Sequence, residues 1–202
     1  MTIKPATPSD AAALALAERE GWPPELRALV ERYPRDTWQS HENLGGMAQF
    51  WLSRHAMFRE LSASIAQGTA RFQDGQTPAA DFARWFAPRL QFFLEQLHAH
   101  HQIEDFHYFP IFRVADQQLA RGFDVLEADH AVLHENIDRS VETANALIRA
   151  VGDAEAVKAA GDAFAQVGDT LLKGLVRHLD DEEDLIVPLI LDRGEDKLGV
   201  GH

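Results

Sequence analysis

The sequence predicts an all-α fold: an antiparallel, up-down-up-down four-helix bundle with an N-terminal helical or irregular extension. Three observations lead there. Apolar residues recur at alternating steps of three and four along four long stretches, the repeat that keeps side chains on one helical face. No stretch alternates with period two. The stretches are joined by short Gly-, Asp- and Pro-containing turns, and each apolar stripe must be buried against the others. A chain of 202 residues suits one domain with a short appendage.

Residues 1–43 form the extension, where Pro5, Pro8, Pro23, Pro24 and Pro34 permit only short helices, at 9–19 and 24–32. The bundle is expected over 44–191. Asn43 caps a first long helix that begins near Leu44, carries Trp51, His55, Phe58, Ser62, Ile65 and Phe72 on one side, and ends at the Asp74-Gly75 turn. Thr77-Pro78 starts the second, which runs to about Val114 with Pro88 and Pro110 as bends or breaks. Its seam is Phe86, Leu90, Phe93, Leu97, His100, Glu104, His107 and Ile111. The third, capped by Asp116 and closed by Gly152-Asp153, has the seam Phe123, Glu127, His130, His134, Ile137, Val141, Ala144 and Ile148. The fourth turns Phe164, Val167, Leu171, Gly174, His178, Glu182, Leu185 and Leu189 inward and gives way after Leu191 to a tail, 192–202.

A net charge of -13 and a pI near 5.1 argue against nucleic acid or an anionic membrane surface as partner, since both require clustered Lys and Arg. Without Cys there is no disulfide, thiolate cluster or Cys nucleophile, so any metal site must use His and carboxylates. The apolar run Ala11 to Ala17 is too short to span a bilayer and leads straight into Glu18-Arg19-Glu20, unlike a signal peptide. The expected location is the cytoplasm.

The ten His are therefore the residues to explain. Three helices carry a pair at spacing four: His100 with Glu104, His130 with His134, His178 with Glu182. Such pairs stack on one face, close enough to serve one metal or two neighbouring metals. His55 joins them from the first helix, and counting along the helices brings all four contributions to one level near one end of the bundle. Buried His and Glu must be paired, hydrogen-bonded or metal-bound. Five imidazoles and two carboxylates suit iron, zinc, copper or nickel better than calcium or magnesium. Seven ligands exceed one ion's roughly six positions, whereas two ions offer about twelve. If both carboxylates bridge, side chains fill about nine and a shared oxo or hydroxo group two more, leaving roughly one position for a small ligand.

The segments Arg54-His55 with Phe58-Arg59, the second-helix run ending Tyr108-Phe109-Pro110, Glu127-Ala128-Asp129-His130 with His134, and His178 through Glu182-Glu183 to Val187-Pro188 make the chain resemble the HHE-type hemerythrin-like cation-binding family over about residues 44–191. The resemblance implies a four-helix bundle with a non-haem centre of two iron ions, oxo- or hydroxo-bridged, that binds or senses O2, nitric oxide or peroxide. It matches His55, His100, Glu104, His130, His134, His178 and Glu182 to the family's ligand positions. The last pair departs from oxygen-carrying animal hemerythrins, whose spacing there is five with an Asp. The implied role is metal and small-ligand binding more than enzymatic; redox turnover of peroxide or nitric oxide and iron storage or donation are the alternatives. No Ser-His-Asp triad is expected, because Ser62 is two turns from His55.

Other residues are expected to be accessory. His101 and Asp105 form a rival second-helix pair, but their line passes through Leu94 and His98, a mixed face. His98 is expected in solvent. His107 and Glu127 are expected to meet beside the ligand layer, Asp180 to Asp184 to be a solvated face apart from Glu182, and Trp51 and Tyr108 to shape the pocket or belong to the core. Trp22, Tyr33, Trp38 and His41 would let the extension lie over the ligand-proximal end and limit access, or simply extend the core.

Overall fold

A computed structural model of the chain describes residues 13–201, and among them every regular element is helical. After a 3₁₀ turn at Pro24–Leu26 come α1 (Ala28–Arg32), a second 3₁₀ turn at Arg35–Ser40, and α2 (Gly46–Gln73). Next are α3 (Ala79–Ile103), one π-helical turn (Glu104–Tyr108) and α4 (Phe109–Ala115), then α5 (Ala120–Ala150), α6 (Ala154–Arg193) and α7 (Glu195–Leu198). Part of the helix expected at 9–19 lies outside the described residues. Its described end is a turn, in which the N–H groups of Glu18 and Arg19 both donate to Ala15 O.

The helix ends show which local signals act. Asn43 does not cap α2: its amide donates to Leu191 O at 2.7 Å, and the N–H groups of Met47 and Ala48 donate instead to the Glu195 carboxylate at 3.3 and 2.8 Å. A helix start leaves N–H groups without intrahelical partners and favours an anion there. Only glycine at 45 permits this approach, because a Cβ there would fall 2.3 Å from Glu195 Oε2. Asp153 receives the N–H groups of Glu155 and Ala156 and so caps α6. Pro88 lies within α3 without ending it, whereas Pro110, the second residue of α4, is separated from the π-helical turn by Phe109 alone. Lacking an N–H, Pro110 cannot bond the carbonyl four residues back, and the widened turn falls where that bond is missing.

By contacts the described residues form two compact units, 53–104 with 131–176, and 13–52 with 105–130 and 177–201. The divisions fall inside α2, α5 and α6 and inside the π-helical turn, after its first residue Glu104. In the first unit an aromatic ladder fills the core. Phe72 stacks on Phe82 (centroids 4.4 Å), Phe82 on Phe86 (4.8 Å), and Phe86 meets Phe164 edge-on (4.8 Å). Nearer the unit's other end Phe58 packs against Phe93.

In the second unit Phe109, Phe112, Phe123 and the run Leu185 to Leu191 form a core that also includes Trp22, Leu26, Trp38 and Leu44. The segment read from sequence as an appendage therefore extends this core. Trp22 Nε1 donates to Asp181 O, Tyr33 OH to Asp192 Oδ1 and Arg35 to Glu183, Asp184 and Asp180 O. Consequently α6 is buried nearly all round from His178 to Leu191. The expected solvated face at 180–184 is corrected: Asp181, Glu182 and Glu183 are at most 4% exposed. Basic side chains of the N-terminal segment supply the counter-charges that permit it.

Candidate metal centre

Each unit carries part of the expected ligand set. In the unit 53–104 with 131–176, α2 buries His55 on the same face as Phe58, and α3 brings His100, His101 and Glu104 to its C-terminal end. His55 Nε2 lies 3.1 Å from His100 Nε2, and His100 Nε2 lies 2.8 Å from Glu104 Oε1. Each of these three residues offers a donor atom within 4.8 Å of the others. Phe58 covers the His100 ring at 5.1 Å. His134, half-buried on α5, meets His101 with Nε2 3.2 Å from His101 Nδ1. His101, placed on a mixed face by the sequence, is fully buried. His98 is exposed, its ring 4.9 Å from that of His134.

In the other unit the centre of the arrangement is His130 on α5 and His178 on α6, whose Nε2 atoms lie 3.1 Å apart. Each ring is held from behind by a carboxylate. His130 Nδ1 donates to Asp105 Oδ1 at 2.8 Å and His178 Nδ1 to Asp129 Oδ2 at 3.4 Å. A carboxylate only accepts, so both Nδ1 atoms carry the proton and both Nε2 atoms of neutral rings present lone pairs. Two lone pairs at that separation repel unless a positive charge sits with them. Glu182 Oε2, 3.3 Å from His178 Nε2, adds a third donor. Burial alone would lower the His178 pKa, but Asp129 and Glu182 outweigh it and raise the value to about 10. The site accordingly favours a cation: a proton, or a metal ion in its place.

These carboxylates are themselves anchored. Burial alone would raise the Asp129 pKa, but hydrogen bonds from His178 and Arg19 hold it below the usual range. Asp181 receives Arg19 Nε at 2.6 Å and also pairs with Arg177. The expected meeting of His107 and Glu127 is not seen: both are exposed, and Glu127 pairs with Arg113 at 2.5 Å. Trp51 meets Tyr108 edge-on at 5.0 Å within this unit's core.

Spacing along a single helix does not pair Asp105 with His130 or Asp129 with His178, contacts made between separate stretches of chain. The signal for Asp129 was its buried phase on α5, one turn from Leu126 and Leu133. Asp105 lies in the π-helical turn, where ordinary helical counting fails.

Three imidazole pairs thus have facing nitrogens 3.1 to 3.2 Å apart. Two nitrogens bound to one ion at about 2.1 Å and a right angle would be about 3.0 Å apart. The residues therefore fit a metal, with the backing carboxylates that metal-binding His characteristically have. The family model "Hemerythrin HHE cation binding domain" matches residues 46–190. Comparison with curated proteins and with solved structures returns no match.

Proposed function

Because the chain belongs to the hemerythrin HHE cation-binding domain family, we propose that it is a cytoplasmic non-haem di-iron protein that binds or senses O2 or a related small ligand such as nitric oxide or peroxide. In this reading the long helices form an antiparallel four-helix bundle. The two partial sets make one centre, with His55, His100, Glu104, His130, His134, His178 and Glu182 as ligands and His101 as a further donor.

What carries the reading is the pair His130 and His178: carboxylates fix the protons on Nδ1, and both Nε2 atoms converge. Within one unit His55, His100 and Glu104 offer converging donors beside the His101–His134 pair, and within the other His130, His178 and Glu182 do so. If both carboxylates bridge, six imidazoles and four carboxylate oxygens fill about ten of two ions' roughly twelve positions. When bound, the ions would supply a redox-active Lewis-acid pair with positions left for a small molecule.

The chain's own residues orient and protect this arrangement. Asp105 and Asp129 keep the imidazoles in one tautomer, while Phe109 lies 5.5 Å from the His130 ring and helps exclude water. No helix among the described residues is long and apolar enough to cross a membrane.

Iron-loaded, reduced protein titrated anaerobically with O2 or nitric oxide tests the function. A saturable optical change reversed by removing the gas is expected. Continuous consumption of nitric oxide or peroxide without a stable bound form would refute the binding role.

A further inference from the structure

The N-terminal segment precedes the matched region 46–190, so family membership assigns it no part in the site. Its Arg19 is nevertheless wholly buried as a side chain and spans 110 and 162 residues of sequence to reach two carboxylates. Arg19 Nη2 donates to Asp129 Oδ2 at 2.5 Å and Nη1 to Asp129 Oδ1 at 3.3 Å, a two-pronged grip. Nε donates to Asp181 Oδ2 at 2.6 Å, and Nη1 also reaches Leu14 O at 2.6 Å. Asp129 Oδ2 is also the atom that faces His178 Nδ1. Asp181 adjoins Glu182 and is held from its other side by Arg177.

We propose that Arg19 is a positioning residue for the metal centre: it fixes the Asp129 carboxylate that orients His178, and through Asp181 it fixes the helical turn that presents Glu182. This rests on the metal-binding reading above. A planar guanidinium sets the plane of a carboxylate it grips with two donors, which a Lys ammonium does not. Anchoring the segment alone would not require this geometry, because Trp22 and Leu26 already bury it in the core. The shared oxygen instead links the segment to a candidate ligand.

The test uses the full chain loaded with ferrous iron and a ferrous-specific chromophoric chelator, reading affinity and release for each ion. Arg19→Lys, which keeps the charge and loses the fork, should release one ion about tenfold faster, the low end of the effect of removing an outer partner of a metal ligand. Arg19→Gln should exceed it. Leu26→Ala, which opens the core of the same segment and changes none of Arg19's hydrogen-bond partners, should lower the thermal midpoint and leave iron release unchanged. Unchanged release in Arg19→Lys overturns the proposal, as does equal acceleration in Leu26→Ala, which would make the effect one of packing. If the parent chain takes up no iron, the metal-binding reading itself fails, and that result is distinct because it precedes any substitution.

Discussion

Removing Asp105 probes the geometry of the centre without touching a proposed ligand. Its Oδ1 accepts the His130 Nδ1 proton at 2.8 Å, and its side chain is 21% exposed. Substitution therefore leaves room for water to replace part of the lost bond. Outer partners of metal-bound His contribute about 10- to 100-fold in metal affinity, which corresponds to roughly 1.4 to 2.7 kcal/mol. Partial exposure places Asp105→Ala near the lower end, about tenfold. Asp105→Asn retains an oxygen acceptor and loses the charge, so its loss should be smaller. The weakening should fall on the ion held by His130, giving two-phase release against a chelator where the parent gives a tighter first phase. Circular dichroism should show unchanged helix content. If Asp105→Ala holds both ions as tightly as the parent, the account of His130 orientation is refuted.

Three further outcomes are expected. His100→Ala, His101→Ala and His134→Ala should each lower iron content or affinity, while His98→Ala should not; full metal retention in His101→Ala would remove that residue from the donor set. Gly122→Ala should cost about 1–2 kcal/mol in a denaturant titration, because its Cβ would meet buried Leu185 Cδ1 at 2.5 Å and overpacking outweighs the roughly 1 kcal/mol gained in helix propensity. Removing iron should lower the thermal midpoint: a thousand-fold excess over Kd adds about 4 kcal/mol per site, or roughly 8–16 °C for a domain of this size, and an unchanged midpoint would argue against metal binding to the folded chain.

Much of the helical organisation was legible because burial follows the apolar stripe wherever the helix is regular. Trp51, His55, Phe58, Ser62, Ile65 and Phe72 are all buried on α2, and Phe86, Leu90, Phe93 and Leu97 on α3. Counting failed beyond Glu104, where the π-helical turn shifts the phase and leaves Phe106 82% exposed and His107 in solvent. On α5 the partner line was misread. Phe123, His130, Ile137 and Ala144 are buried together with Leu126, Leu133, Ser140 and Leu147, whereas Glu127, Val141 and Ile148 face outward. Both lines flank the same stripe, and the elements packed around a helix decide which is covered. The supporting shell was hidden for a different reason. Arg19 with Asp181, and Arg35 with Glu183, are separated by 162 and 148 residues, so local spacing carries no trace of their pairing. Without those partners a run of acids reads as a solvated face.

The central claim is a two-metal centre assembled from all four long helices. Its most direct test is the iron-to-protein ratio of the full chain after anaerobic reconstitution and removal of loosely held metal, measured by elemental analysis against amino-acid quantitation. The account predicts two irons per chain in the parent, because the donor set exceeds what one ion can use. A ratio that stays at or below one under saturating iron would contradict it.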